Sequence, residues 1–204
     1  MADSFLPKHN FKTVFINRVR KIIDKGILNP AISCSFSNSL LHSKLDVPAF
    51  EDTEGNKLWF SEGKLHRADD KPAVVMRNGT EMWFRRGELH RGDNKPAVIS
   101  ERGKFWFYED KLHRGGDMPA VISTSGDKFW FYEDKFHRGG DMPAIISANG
   151  YKVWAFEGKL HRGGGKPAVI TCDGDEIWAY DGEITKIKNK DAPYVGKYSS
   201  PIPL

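Results

Sequence analysis

His66, His90, His113, His137 and His161 recur at intervals of 24, 23, 24 and 24 residues, and each is followed at once by an arginine: Arg67, Arg91, Arg114, Arg138 and Arg162. Imidazole is the commonest metal ligand and the side chain best matched to acid–base work near neutral pH, so such a column invites two chemistries. Neither suits the spacing. Ligands at about 2.1 Å from an ion put their nitrogens about 3–4 Å apart, whereas copies of a two-stranded β unit follow one another at about 10 Å. Catalysis needs one asymmetric constellation of nucleophile, base and orienting group, and a repeat offers the same residues many times over. Cys34 and Cys172 have no local His or Asp pattern that would activate them, and Gly163-Gly164-Gly165 lacks the Lys-Ser/Thr ending of a phosphate loop. No catalytic, cofactor-binding or metal residue and no small-molecule substrate is therefore expected. His and Arg are expected instead to hold a kinked connection, through backbone carbonyls and the nearby Asp69, Asp93, Asp117 and Asp141. Gly163-Gly164-Gly165 replaces the acid in the fifth copy, so the acid reads as dispensable.

The elements that carry these residues follow from the same period. Trp59, Trp83, Trp106, Trp130, Trp154 and Trp178 stand 24, 23, 24, 24 and 24 residues apart, and Pro72, Pro96, Pro119, Pro143 and Pro167, each followed by Ala, lie six residues past the histidines. A fixed period in this range marks a repeat array. His42 and Pro48 belong to a degenerate first copy that begins near Leu41, and Trp178 opens an atypical last one with Ile184-Thr185 in place of His-Arg. Gly55, Gly79, Gly103, Gly126, Gly150 and Gly174 lie just before the tryptophans and read as hairpin turns that need positive φ. A second reversal falls four residues after each tryptophan, at Gly63, Gly87, Asp110, Asp134, Gly158 and Gly182. The aromatic and β-branched segments between turns are too short for helices. Each copy reads as one strand, a turn, and a second strand bent at Pro-Ala, where proline cannot join the ladder. Alternation would set Phe105 and Phe107 on the face opposite Trp106 and Tyr108.

The pattern Trp-Phe-x-x-Gly-Lys-Leu-His-Arg-x4-Pro-Ala, as it stands from Trp59 onward, resembles the MORN-like repeats of large amoeba-infecting DNA viruses of the marseillevirus type. The resemblance covers about residues 41–185. It implies a mainly β fold, an elongated antiparallel β-hairpin array or meander. It further implies a non-enzymatic scaffold for protein–protein interaction or self-association, and a minor structural, capsid-associated place in a virion. The chain carries Trp-Phe where MORN repeats have Tyr-x-Gly and adds the Pro-Ala stretch, so lipid binding is not carried over.

Outside residues 41–185 the chain changes character. Residues 1–47 hold seven Lys/Arg and three Asp/Glu, residues 48–185 hold twenty and twenty-three, and residues 186–204 hold four and one. The acidic balance of the array disfavours nucleic acid there. The basic ends leave open an alternative adaptor role on anionic lipid or nucleic acid, so a membrane surface stays open as a partner although no particular residue supports it. In segment 1–40, Phe11, Phe15, Val19 and Ile22 recur at helical spacing among Arg18, Arg20 and Lys21, which reads as a short amphipathic helix that either caps the first strand or docks on a partner. The 186–204 tail, with Pro193, Pro201 and Pro203, reads as extended. Two unpaired cysteines and no signal-like apolar run point to a soluble, intracellular, non-secreted protein without cofactors.

Overall fold

The computed structural model describes residues 33–190 together with Asn17, Arg20 and Lys21, which are helical. Phe11, Phe15, Val19, Ile22 and the tail beyond Lys190 lie outside the described residues. The fold is mainly β, an antiparallel meander with additional hairpins, and the chain divides into two compact units, Met1–Lys111 and Leu112–Leu204. In the first, the meander runs through Ser33–Cys34, Phe50–Glu51, Lys57–Leu58, Val74–Val75, Glu81–Met82, Val98–Ser100 and Gly103–Phe105. In the second it runs through Val121–Ser123, Lys128–Phe129, Ile145–Ile146, Lys152–Val153, Val169–Ile170, Glu176–Tyr180 and Glu183–Lys188.

The expectation of two strands per copy falls short. Each full copy supplies two meander strands and, from the same chain, a separate two-stranded hairpin, such as Phe60–Ser61 with Lys64–Leu65 or Phe131–Tyr132 with Lys135–Phe136. The tryptophan is the point of exchange. Trp59 N–H donates to Ala73 O at 2.8 Å on the meander side, and its carbonyl accepts His66 N–H at 3.1 Å on the hairpin side. Trp130 and Trp154 repeat both bonds in the second unit. One short extended run therefore serves two ladders. Of the aromatics in this run Phe105, Trp106 and Phe107 are buried and Tyr108 is exposed.

The hairpin pattern also reaches upstream of Leu41. Ser33–Cys34 pairs with Phe50–Glu51, and Phe36–Ser37 forms a hairpin with Leu40–Leu41, so Ser35 takes the place that tryptophan holds elsewhere. Its N–H donates to Ala49 O at 2.7 Å, as the indole residues do to their own alanines. The end of the array shows in the burial. Phe36 is 52% exposed where Phe60, Phe84, Phe107 and Phe131 are buried.

Turn chemistry sets the register. Gly150 N–H bonds to Ser147 O and the glycine has φ of +92°, closing a tight loop that returns Lys152–Val153 against Ile145–Ile146. In the 23-residue copy the turn shrinks to Glu101-Arg102 between paired Ser100 and Gly103, so the missing residue is lost from a loop and the core register Val98↔Phe105 is kept. Because a Cβ at Gly150 would meet nothing within 4 Å, Gly150→Ala isolates the conformational cost. It should lower stability by about 1 kcal/mol, read from denaturant midpoints.

Candidate functional site

The residues singled out by spacing come together, in a different grouping from the one expected. The loop after each His-Arg pair holds two consecutive residues in the left-handed region: Asp69 and Asp70 (φ 57° and 53°) in one copy, Gly140 and Asp141 (φ 68° and 55°) in another. This turn aims the second residue's carbonyl at the next copy. There the indole Nε1–H donates to it: Trp59 to Asp46 O (3.0 Å), Trp83 to Asp70 O (2.9 Å), Trp130 to Asp117 O (3.1 Å), Trp154 to Asp141 O (3.0 Å) and Trp178 to Gly165 O (2.8 Å). A buried indole N–H left unpaired would be costly, and one backbone carbonyl per copy removes that cost.

Arginine closes the joint. The Arg67 guanidinium lies 3.7 Å from the Trp59 ring centroid, with equivalent stacks at Arg91/Trp83, Arg138/Trp130 and Arg162/Trp154. Nε and one terminal nitrogen donate in a fork to the acid of the preceding copy: Arg67 to Asp46, Arg91 to Asp70, Arg138 to Asp117 and Arg162 to Asp141, with Nε distances of 2.7, 2.7, 2.8 and 2.6 Å. The remaining terminal nitrogen reaches the carbonyl of Pro72, Pro96, Pro143 or Pro167, at 3.1–3.3 Å. Arg114 does the same to Pro119 O at 3.3 Å. Only a planar, forked cation can stack and bridge at once. Lys71, Lys95 and Lys166 add an ammonium to Asp46, Asp70 and Asp141 at 2.7, 2.8 and 2.6 Å.

The carbonyl role expected of arginine is thus present, and the acid lies one copy back. Gly165 alone does not decide whether the acid is dispensable. Asn94 holds the acid's place while Trp106 keeps its indole bond to Asn94 O and Arg114 its bond to Pro119 O, so a carboxylate is not required at every joint. Arg162 keeps Asp141, and in the copy after Gly165 the place of arginine falls to Lys186, one residue beyond the expected Thr185, since Lys186 lies over Trp178 at 4.1 Å. Buried Ala144 and Ala155 pack against Trp130, as Ala168 and Ala179 do against Trp154, which explains why the residue after proline is small.

The histidines form a second column, beside the hairpins. Nδ1 of His42, His137 and His161 accepts the backbone N–H of Glu62, Glu157 and Asp181 at the tip of the next hairpin, at 3.2–3.4 Å. In the second unit their rings alternate with aromatics: His113–Tyr132, His137–Phe156 and His161–Tyr180, with centroids 4.9, 4.6 and 4.6 Å apart. These stacking aromatics, two residues past each tryptophan, escaped the sequence reading because Ser61 and Arg85 occupy the same place earlier in the chain. Tyr132 is 55% exposed and Phe156 47%. Among the described residues no three His, Cys, Asp or Glu side chains converge as metal ligands would. No protein-family model matches the chain, and no curated protein matches it.

The joints carry a pH dependence whose sign is set. Arginine and then lysine donors hold the carboxyls of Asp46, Asp70 and Asp141 far below the usual carboxylate range, and Arg138 lowers Asp117 as well. A carboxylate with a depressed folded pKa stabilises the fold above its unfolded value, about 4, and loses that contribution as pH falls below it. The melting temperature should therefore be flat near neutral pH and drop below about pH 4. Combined Asp46→Asn, Asp70→Asn and Asp141→Asn should melt lower at neutral pH, with a shallower acid drop.

Proposed function

We propose that the chain is a non-enzymatic repeat scaffold for protein–protein interaction, of the MORN-like kind, with a structural place in a large DNA virus particle. The observation that carries this reading is the division of labour in each copy. Arginine, aspartate and the indole N–H, the groups an active site would use, are bound to one another in the joints. What faces outward is a set of half-exposed rings, Tyr108 in the first unit and Tyr132, Phe156 and Tyr180 in the second. Exposed aromatics are the residues from which binding surfaces are built.

The test is recovery of partners from the native source by the intact chain and by a Tyr132→Ser/Phe156→Ser variant. Ser61 already occupies the equivalent place, so the variant should keep its melting temperature. It should lose about tenfold of a specific partner, and recovery by the parent should persist between about 50 and 200 mM salt. Retention that collapses with salt and ignores the two rings would instead favour the basic ends acting on lipid or nucleic acid.

A further inference from the structure

Four glycines have no internal reason to be glycine. Gly92, Gly115, Gly139 and Gly163, each two residues past a histidine, lie outside the left-handed region, and a Cβ on any of them would meet nothing within 4 Å. Ala68 and Lys44 hold the same place in earlier copies, so the fold accepts a side chain there. In the second unit these glycines line two successive grooves. One, of about 520 Å³, lies among His113, Gly115, Tyr132, His137, Gly139 and Met142. The other, of about 400 Å³, lies among Gly139, Phe156, His161, Gly163, Gly164 and Lys166. Glycine with open space above it, beside an exposed ring, is the signature of a backbone left bare for close approach from outside.

The lining selects the occupant. One rung leads to the next through Tyr132–His137 and His137–Phe156, with centroids 5.8 and 4.6 Å apart, and two meander strands per copy advance the rungs by about 10 Å. A polyproline II helix turns every three residues at ~3.1 Å each, so ~9 Å per turn, and exposes all its carbonyls to outside donors. The grooves offer donors. Nδ1 of His137 and of His161 accepts a backbone N–H, which leaves the proton of a neutral ring on Nε2. The acceptors are engaged, because Asp117 and Asp141 are bound by arginine. Sugar hydroxyls need acceptors as well as donors, and a proline-type backbone needs donors alone. Charge points the same way. Arg114, Arg138, Arg162 and Lys166 stand against Asp117 and Asp141 along the two grooves, which disfavours the basic Pro193–Pro203 segment of this chain and favours an acidic partner.

Resting on the scaffold reading, we propose that these grooves dock an acidic, proline-containing segment of another protein in polyproline II conformation, with prolines seated on Tyr132 and Phe156 and carbonyls bonded to His137 and His161. The probe is a fluorescent oligoproline peptide flanked by glutamates, titrated against the full chain by anisotropy, with a Gly/Ser peptide of the same charge as control. The oligoproline peptide should bind and the control should not. Gly139→Val and, separately, Phe156→Ser should each weaken binding by about tenfold or more at unchanged melting temperature. Equal binding of the control, or full affinity in both variants, overturns the proposal. Removal of residues 191–204 that creates binding where there was none would also overturn it, by making the chain's own tail the occupant. Peptide silence with partner recovery that still depends on Tyr132 and Phe156 would sink this peptide class and leave the scaffold reading standing. Binding of cellohexaose at the same rings would sink both.

Discussion

The joint between consecutive copies is the constraint on which the rest depends. Two residues such as Asp69 and Asp70 are held in the left-handed region, at about 1–2 kcal/mol each for a non-glycine residue. The strain persists because the carbonyl it exposes takes the next indole N–H and the carboxylate beside it takes the next guanidinium. A stacked Arg–Trp pair contributes about 0.5–2 kcal/mol, and a hydrogen bond about 0.5–1.5 kcal/mol, so one joint offsets its own strain with little left over. Stability must then come from repetition. A single copy with no neighbour has a strained loop and an unpartnered indole, and becomes worth forming only when the next copy is in place, as expected of quasi-one-dimensional arrays.

The hairpin tips obey the same rule on a smaller scale. Tips need two left-handed residues, and the second is Gly63, Gly87, Gly158 or Gly182 in most copies. Where aspartate stands instead, as Asp110 and Asp134, the side chain accepts an N–H of the neighbouring hairpin, from Leu89 and Leu112, at 2.8 Å. The glycine tips sit against the neighbouring Lys64, Lys135 or Lys159 stem, leaving no such bond to make but room for that stem. Two different residues therefore satisfy one geometry by different means, an avoided strain in one case and a recovered hydrogen bond in the other.

Much of this was legible in the sequence, since the period, the tryptophan, histidine and arginine columns and both sets of turns follow from spacing and residue type. The doubling of strands was not. Nothing in Leu58-Trp59-Phe60 distinguishes one strand from a strand shared by two ladders, because the exchange depends on which neighbour offers its backbone and not on propensity. The upstream limit was missed because Ser35 interrupts the tryptophan column, although Phe36 and Leu41 keep the spacing of Phe60 and Leu65. The acid–arginine pairing was hidden by distance, 21 residues apart in the chain. A signal for it did exist: Gly165 lacks the acid, and the copy that follows lacks the arginine.

Repetition also explains where variation is allowed. Joint residues are tied to both neighbours, so a change at one can be met by a change one copy away, as with Gly165 and Lys186, whereas Asn94 replaces the acid with Arg114 kept. The place two residues past each tryptophan has a looser tie, a ring resting on a histidine, and there the chain runs through Ser61, Arg85, Tyr108, Tyr132, Phe156 and Tyr180. The aromatics gather in the later copies, and so do the glycines two residues past histidine, from Gly92 through Gly163. Neither trend is required by the joints, which repeat the same acid–arginine fork from Asp46–Arg67 to Asp141–Arg162 except where Asn94 stands before Arg114. The two trends rise together on one side of each copy. The docking proposed above, on the later copies, would account for both.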